Sequence, residues 1–279
     1  MLSRRILTVI GLFLAISAYM VFFKDDQRFM LPLVICILLG AIAYIFHFQI
    51  DFWWVKRQKP KLSAPMRAML YQSNQFIHTI GPEDQEKFEQ RMELWVAAKE
   101  YISKGIEDLP EDLKYITAIY PIMLTIFKEK FLFEDLDRIA FYPHAFLSPG
   151  YPDDIHCCEV EKEDGVFIFS IEQMMVGHMQ PKRYYNILLH SFAEAYKFKF
   201  PEEQYPVLPD HIWNLLGRMS QISKEKVDHF IGIKQEDPWP MAVHHFFVYP
   251  KRFMELAPEL YKEFVNWHQN VPKLEKQLI

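Results

Sequence analysis

Two long apolar stretches near the N-terminus dominate the pattern of hydrophobic and polar positions along the chain. The first run, residues 6–23, contains no charged residue, and the second, residues 29–48, has His47 as its only acidic or basic residue. Each run approaches the roughly 20 residues that a helix needs to cross the hydrocarbon core of a bilayer. The pattern therefore predicts a transmembrane helical hairpin over residues 1–50.

A cleaved signal peptide followed by a single span is the alternative for the first run, because Arg4 and Arg5 give the chain a basic start. Against it, the run is longer than a usual signal core, and no small-x-small cleavage site follows Ala18. The segment 56–61 is basic, whereas the connection 24–28 balances two basic residues with two aspartates. The positive-inside rule then places both ends of the hairpin in the cytoplasm. We expect an inner or plasma membrane protein whose globular domain faces the cytoplasm.

Beyond the hairpin, basic residues, Pro60 and the lack of hydrophobic periodicity predict a juxtamembrane linker at 51–65. Periodic patterns after it predict one globular domain at 66–279. The domain begins with helical patterns at 66–80 and 82–103, and with a third that starts at Pro110. The expected strands are 136–141, 155–160 and 165–171, and the expected later helices are 181–200, 211–219, 224–231, 241–247, 250–255 and 258–270. We therefore predict an α+β fold, a mainly helical domain with a small, mostly antiparallel sheet.

Composition narrows the functional classes. The net charge is -5, and no long basic run occurs outside the juxtamembrane segment, so nothing indicates a nucleic-acid partner. Three cysteines, Cys36, Cys157 and Cys158, are too few for a disulfide framework. We therefore expect the cysteines to be unpaired and the protein to reside in a reducing compartment.

The segment 190–194 has the outline of a zinc-hydrolase helix in which key residues differ. The intact motif, His-Glu-x-x-His, places two zinc-binding histidines on one helical face and a general base between them. Here the residues are His190, Ser191 and, one helical turn after the histidine, Glu194. Spacing alone also allows a purely structural role, in which a buried histidine and a buried glutamate form hydrogen bonds to each other and to nearby backbone groups. A third ligand would come from the adjacent pair His244 and His245, of which only one can face the same metal.

Several segments in order resemble the Mlc titration factor (MtfA-like) family of zinc-dependent peptidases. Segment 138–146 reads Arg-Ile-Ala-Phe-Tyr-Pro-His-Ala-Phe, segment 165–170 reads Gly-Val-Phe-Ile-Phe-Ser, and segment 186–194 reads Asn-Ile-Leu-Leu-His-Ser-Phe-Ala-Glu. The C-terminal segments 237–250 and 258–261 also follow the family pattern. The resemblance covers the globular part and implies a zincin-like fold.

Carried over residue by residue, the resemblance assigns the first zinc histidine to His190 and the general base to Ser191. It assigns the second zinc histidine to Glu194 and the third ligand, a glutamate in the family, to His244. The exchanged set still offers two imidazoles and one carboxylate, which suits zinc. Either the two replacements compensate each other and zinc is kept, or both positions drifted after function was lost.

The lost carboxylate at Ser191 makes enzyme activity uncertain, since a general base typically contributes on the order of 100- to 10,000-fold in rate. A tyrosine that the family uses before its third ligand also has no counterpart between Pro206 and Val248. We expect a pseudoenzyme, a metallopeptidase-like membrane protein that binds a protein or peptide partner in a regulatory role. The resemblance implies a regulatory partner, because the type member of the MtfA-like family is understood to bind a transcriptional repressor of sugar uptake. The alternatives are an active zinc metallopeptidase with rearranged ligands and a metal-free structural membrane protein.

Overall fold

The structure is a computed structural model that describes residues 2–58 and 60–269. Its contacts divide the chain into two compact units, Met1–Lys61 and Leu62–Ile279. Asn270, with which the last predicted helix ends, lies outside the described residues.

The N-terminal unit consists of three helices, α1 (Leu2–Lys24), α2 (Met30–Ile45) and α3 (His47–Gln58). By length and composition, the stretches Leu2–Lys24 and Gln27–Ile45 are each able to cross a membrane. Their large apolar side chains are mostly exposed; Leu12 and Leu38, for example, are 63% and 58% exposed. This differs from the core helix of a soluble protein, which buries its apolar stripe.

Asp51 of α3 caps the first turn of α1. The backbone N–H of Ser3 donates to Asp51 Oδ1 at 2.8 Å, and Ser3 Oγ donates to Asp51 Oδ2 at 2.5 Å. A carboxylate at a helix N-terminus satisfies unpaired N–H groups and complements the helix dipole. The start of α1 and the middle of α3 therefore lie at the same end of this unit. The segment 51–58, expected to be part of a linker, is helical instead.

The globular unit opens with three helices and one short strand, in the order α4 (Ala64–Ser73), α5 (Pro82–Ala98), β1 (Glu100–Ser103) and α6 (Glu111–Thr125). α5 begins with Pro82, and Glu83 and Asp84 stand in its first turn, as the sequence indicated. The prediction that this helix reaches Ser103 was wrong. Its last residues leave the helix because they pair with a neighbouring strand, and Lys99 turns inward to donate to backbone carbonyls and to Asp137.

Five further strands complete two small sheets: β2 (Arg138–Tyr142), β3 (Phe146–Ser148), β4 (Tyr151–His156), β5 (Cys158–Glu161) and β6 (Val166–Ser170). The larger sheet has the order β1-β2-β6-β5, and β3 and β4 form a separate antiparallel pair. In the larger sheet β1 and β2, and β2 and β6, run parallel; β5 and β6 alone run antiparallel. The predicted mostly antiparallel sheet was therefore wrong, because the missed strand β1 and the long connections set two of its pairings.

The turn between β5 and β6 follows the sequence prediction. Gly165 adopts φ +66°, and a Cβ at this position would lie 2.2 Å from the backbone oxygen of Asp135. Only glycine fits this combination of left-handed backbone and close approach. The hairpin register pairs Glu161 with Val166.

Seven helices follow the sheet: α7 (Ile171–Met179), α8 (Ile187–Lys199), α9 (Ile212–Ser220), α10 (Lys224–Ile231), α11 (Trp239–Val248), α12 (Pro250–Leu256) and α13 (Pro258–Gln269). Ile171 begins α7, whereas the sequence predicted it as the last residue of a strand. α8 starts later than the predicted residue 181, because Asn186 caps it by accepting the N–H of Leu189 at 3.0 Å. The mainly helical α+β fold class is confirmed.

α8 lies in the middle of the core, and nine of its thirteen residues are buried. Phe192 on this helix is completely buried and contacts the rings of four other aromatic residues, Trp95, Phe133, Phe167 and Phe169. On another side, the indole N–H of Trp239 in α11 donates to the backbone oxygen of Ala193 at 3.1 Å. The sheet and α11 thus hold the helix that carries the candidate site.

Candidate active-site cleft

A cleft of ≈ 990 Å³ opens between β5, α8 and residues 231–237, which lead into α11. His190, Ser191 and Glu194 of α8 all line this β5–α8 cleft. Its volume lies in the range of clefts that bind small molecules or short peptide segments. Three of the residues singled out from the sequence therefore share one open site.

The wall opposite α8 is the edge of the larger sheet. β5 is its last strand, and no described strand pairs with the side of β5 that faces away from β6. Consecutive residues from Cys158 to Lys162 all line the cleft. Side chains along a strand alternate between the two faces of a sheet, so a continuous run of lining residues means that the backbone edge itself borders the cleft. Unpaired N–H and C=O groups on such an edge are available to a partner chain.

His190 is buried, with 3% of its surface exposed. Its Nδ1 lies 2.8 Å from the hydroxyl oxygen of Tyr185, the residue two positions before α8 begins. Burial lowers the pKa of His190 to about 4, although the Gln235 side chain and the charge of Asp237 act in the opposite direction. His190 is therefore a neutral imidazole at neutral pH, in which one nitrogen donates and the other accepts.

Glu194 forms an ion pair with Lys162, whose Nζ lies 2.9 Å from a carboxylate oxygen. The side chains are 38% and 42% exposed, so the pair is at the mouth of the cleft and in contact with water. Lys162 follows the last residue of β5. Glu194, which was predicted to replace a zinc-binding histidine, is thus paired with a lysine at the end of β5.

His244 lies outside the cleft, completely buried in α11. Its Nε2 accepts the backbone N–H of Asn186 at 3.2 Å, and its ring stacks on Tyr185 with 4.3 Å between ring centroids. Burial, followed by the charges of His245 and His190, holds the pKa of His244 well below its usual range. In the described residues its Nδ1 is buried without a hydrogen-bond partner.

The neighbouring His245 is also buried, and its Nδ1 lies 2.7 Å from the backbone oxygen of Met241 in the same helix. Burial lowers its pKa to about 4. The centroids of the two rings lie 5.3 Å apart, with 62° between the ring planes. Of the two, His244 faces Tyr185 and the helix that carries His190.

The three predicted zinc ligands do not converge on one point. Tyr185 lies between the rings of His190 and His244, while Glu194 is bound to Lys162. Over the described ranges, 2–58 and 60–269, no group of three or more His, Cys, Asp or Glu side chains is placed to share a metal ion. The donor atoms as arranged do not fit zinc, and the ligand set His190, Glu194 and His244 stays a prediction.

Sequence reasoning missed Tyr185 and Lys162, which contact the predicted residues directly. Tyr185 stands five residues before His190, so neither strand nor helix periodicity relates the two. Burial keeps the pKa of the Tyr185 hydroxyl well above its usual value, so it remains a neutral hydrogen-bonding group. No local pattern signals that Lys162, 32 positions before Glu194, meets it across the cleft.

The charge of the cleft is predominantly negative. Six carboxylate residues line it, against three lysines: Asp154, Glu159, Glu161, Glu194, Glu236 and Asp237, against Lys162, Lys197 and Lys234. Lys197 is paired with Asp237 at 2.7 Å. Since two of the lysines are already paired, the cleft presents excess negative charge to a ligand.

Comparison of the sequence with known proteins identifies its family. The model of the family described as "Glucose-regulated metallo-peptidase M90" matches residues 51–196, just over half of the chain. The chain is also similar to the uncharacterized protein slr2042 of Synechocystis sp. (strain ATCC 27184 / PCC 6803 / Kazusa), at 26% identity over 194 residues. That alignment covers 59% of this chain and 65% of the relative, less than two thirds of its length. The family match includes β5 and His190, Ser191 and Glu194 of α8, and over residues 51–196 it confirms the MtfA-like resemblance.

Proposed function

The chain belongs to the M90 family of glucose-regulated metallopeptidases, and from this premise we propose that its β5–α8 cleft binds an extended polypeptide segment without hydrolysing it. The observation that carries the proposal is the free edge of β5, which borders a cleft with a serine at the family's general-base position. The protein is thus a zinc-peptidase-like binding protein.

Binding through β5 follows from the hydrogen-bonding capacity of the strand edge. An extended peptide adds a strand to such an edge by main-chain hydrogen bonds, and alternate side chains enter the cleft. The excess of carboxylates over lysines favours a segment with lysine or arginine side chains and repels an acidic one. Exposed Glu236 makes no ion pair in the described part of the chain and is available to such a side chain.

Loss of hydrolysis follows from Ser191. A serine hydroxyl of ordinary acidity does not accept a proton from water as a glutamate does. Glu194, the other polar residue of the motif, is bound to Lys162 at 2.9 Å. The motif on α8 therefore lacks a free carboxylate at the position of the family's proton acceptor.

The competing proposal is an active zinc peptidase with His190, Glu194 and His244 as a rearranged ligand set. The observation in its favour is the buried Nδ1 of His244, which has no hydrogen-bond partner among the described residues. This arrangement requires Glu194 to leave Lys162 and the imidazole of His244 to turn past Tyr185. Elemental analysis of the purified full chain tests the ligand set, since about one zinc per chain, lost in Glu194→Ala, supports it. Peptide cleavage is the measurement that separates the two proposals.

The direct test measures peptide binding and cleavage together. Fluorescence anisotropy of short labelled peptides, lysine-rich or glutamate-rich, is recorded with the full chain in detergent, and mass spectrometry follows the peptides for cleavage. We expect lysine-rich peptides to bind and to stay intact. Glu236→Lys should weaken their binding by up to about fivefold, because an exposed ion pair contributes up to about 1 kcal/mol. Glu134→Lys, an exposed position outside the cleft, is the matched control and should not change it.

Two results would reject the proposal. Chelator-sensitive cleavage of the peptides would establish the active zinc peptidase. Absence of both binding and cleavage would favour the third function, a metal-free structural membrane protein that keeps the fold.

We further propose that α1 and α2 cross an inner or plasma membrane as a hairpin, with the globular unit in the cytoplasm. Arg4 and Arg5 before the first span and the basic segment 56–61 after the second support this orientation. A regulatory protein partner would then be cytoplasmic. A reporter fused after Ile279 tests the topology, and activity of the reporter on the far side of the membrane would reject it.

A further inference from the structure

A second cavity, of ≈ 810 Å³, lies within the globular unit between α4, α6 and α7. It shares no lining residue with the β5–α8 cleft. The turn at 180–183, which follows α7, closes one end, and Phe247 and Val248 at the end of α11 contribute to another side. We call it the α4–α6–α7 cavity.

Twelve of its 23 lining residues are apolar, and four of these are methionines. Met69 of α4, Met123 of α6 and Met175 of α7 line it from three helices, together with Phe76 and Ile116. Methionine side chains are unbranched and adapt to irregular apolar ligands. The walls therefore suit a flexible hydrocarbon body.

Three polar side chains inside the cavity, those of Tyr120, His178 and Asn186, are bonded to one another. The hydroxyl oxygen of Tyr120 lies 2.7 Å from Nδ1 of His178, and Asn186 Nδ2 donates to the same hydroxyl oxygen at 2.7 Å. Asn186 Nδ2 also donates to the backbone oxygen of Gly177 at 3.2 Å. These three side chains have partners within the protein, whereas Ser73 Oγ, which also lines the cavity, is buried without a hydrogen-bond partner among the described residues.

Charge at the rim is concentrated on one pair of residues. Lys182 and Arg183 line the cavity, are exposed, and form no ion pair among the residues that the structure describes. Asp112, the acidic residue of the lining, uses its Oδ1 to accept the N–H of Leu113 at the start of α6. The rim thus presents two unpaired cations beside an apolar interior.

We propose that the α4–α6–α7 cavity binds a long-chain carboxylate, with the hydrocarbon chain among the methionines and the carboxylate at Lys182 and Arg183. A neutral apolar ligand would leave the basic pair without a partner, and a small anion would leave the apolar walls empty. An extended peptide finds no strand edge here, because the main walls are helices whose backbone groups are bonded within each helix.

The test uses the full chain in nanodiscs of neutral phosphatidylcholine and a palmitic acid analogue that carries a photoreactive diazirine on its chain. After irradiation, mass spectrometry locates the labelled peptides. We expect labels on α4, α6 and α7, displaced by palmitate. The corresponding fatty alcohol, which lacks the charge, should label on the order of tenfold less, and each loss of two methylenes from the competitor should weaken displacement on the order of tenfold.

Paired variants separate this cavity from general lipid adsorption. The double variant Lys182→Glu and Arg183→Glu should reduce labelling on the order of tenfold. The matched double variant Lys104→Glu and Lys130→Glu, at exposed positions that line neither cavity, should leave it unchanged. Met175→Trp, which fills the interior without changing charge, should also reduce labelling.

Three results would overturn the proposal. The first is equal labelling by acid and alcohol, and the second is labelling confined to α1 and α2. The third is labelling that the charge-reversal pair and Met175→Trp both leave intact.

Discussion

Replacing Asn186 by alanine perturbs the start of α8, the helix that brings His190 and Ser191 to the cleft. The Asn186 side chain accepts the N–H of Leu189 at 3.0 Å and so caps the helix. Its amide nitrogen also donates to Tyr120 and to the backbone oxygen of Gly177. One side chain, 2% exposed, therefore carries three buried hydrogen bonds.

The expected loss of stability is the sum of a capping and a hydrogen-bonding contribution. Loss of an asparagine N-cap costs about 1 kcal/mol. The two bonds donated by the amide contribute about 1 kcal/mol each, since a neutral hydrogen bond is worth roughly 0.5–1.5 kcal/mol net. The hydroxyl of Tyr120 keeps His178 as a partner, so it adds no further penalty. Asn186→Ala should therefore lower the free energy of unfolding by about 3 kcal/mol.

Hydrogen exchange of the α8 amides in the full chain, together with chemical unfolding of the globular unit, measures this loss. Asn186→Ser keeps an oxygen at the cap and should recover about 1 kcal/mol. Asn214→Ala, at an exposed position of α9, is the control and should change stability by less than about 0.5 kcal/mol. A loss below about 1 kcal/mol for Asn186→Ala, or no difference between alanine and serine, would refute the reasoning.

Three further predictions concern the globular unit. Burial lowers the pKa of His178 and of His268 to about 4 from an ordinary value of 6.5. The unfolded chain therefore binds more protons between these values, and the free energy of unfolding, measured by denaturant titration at fixed pH, should fall as pH decreases from 6.5 toward 4; a flat profile would contradict neutral burial. Gly165→Ala should destabilise by about 1–3 kcal/mol, because its Cβ would lie 2.2 Å from a backbone oxygen. Gly217 stands inside α9, where an added Cβ would lie 3.7 Å from the backbone oxygen of Ile222, so Gly217→Ala should instead stabilise by up to about 1 kcal/mol. Thermal unfolding of both glycine variants measures the difference, and equal effects would contradict the steric argument. Phe192→Ala should cost about 3–5 kcal/mol by chemical unfolding, because it empties a space between four aromatic rings; a loss below about 1 kcal/mol would show that the site collapses.

Local signals predicted much of the secondary structure. The proline and acidic residues at 82–84 begin α5, and Gly165 forms the turn between β5 and β6. Both effects act within a few residues of the chain, so they are readable without knowledge of distant neighbours. The order of motifs likewise sufficed for the family resemblance.

Distant pairing accounts for the errors. Residues 100–103 continue a helical pattern but form β1, because their backbone pairs with β2 across 38 positions of sequence. The same pairing makes the larger sheet mostly parallel. Strand preference depends on neighbours in the sheet, and helix propensity yields to such tertiary contacts.

By itself the sequence determined the two apolar helices, the helical character of the globular unit, and the position of His190, Ser191 and Glu194 along one helix. These depend on periodicity and on covalent spacing. The tertiary structure decided which groups those side chains meet: Glu194 meets Lys162, and His244 meets Asn186 and Tyr185. The physical reason is that a buried or charged side chain takes the partner that the packed backbone brings within hydrogen-bonding distance, and that partner is remote in sequence.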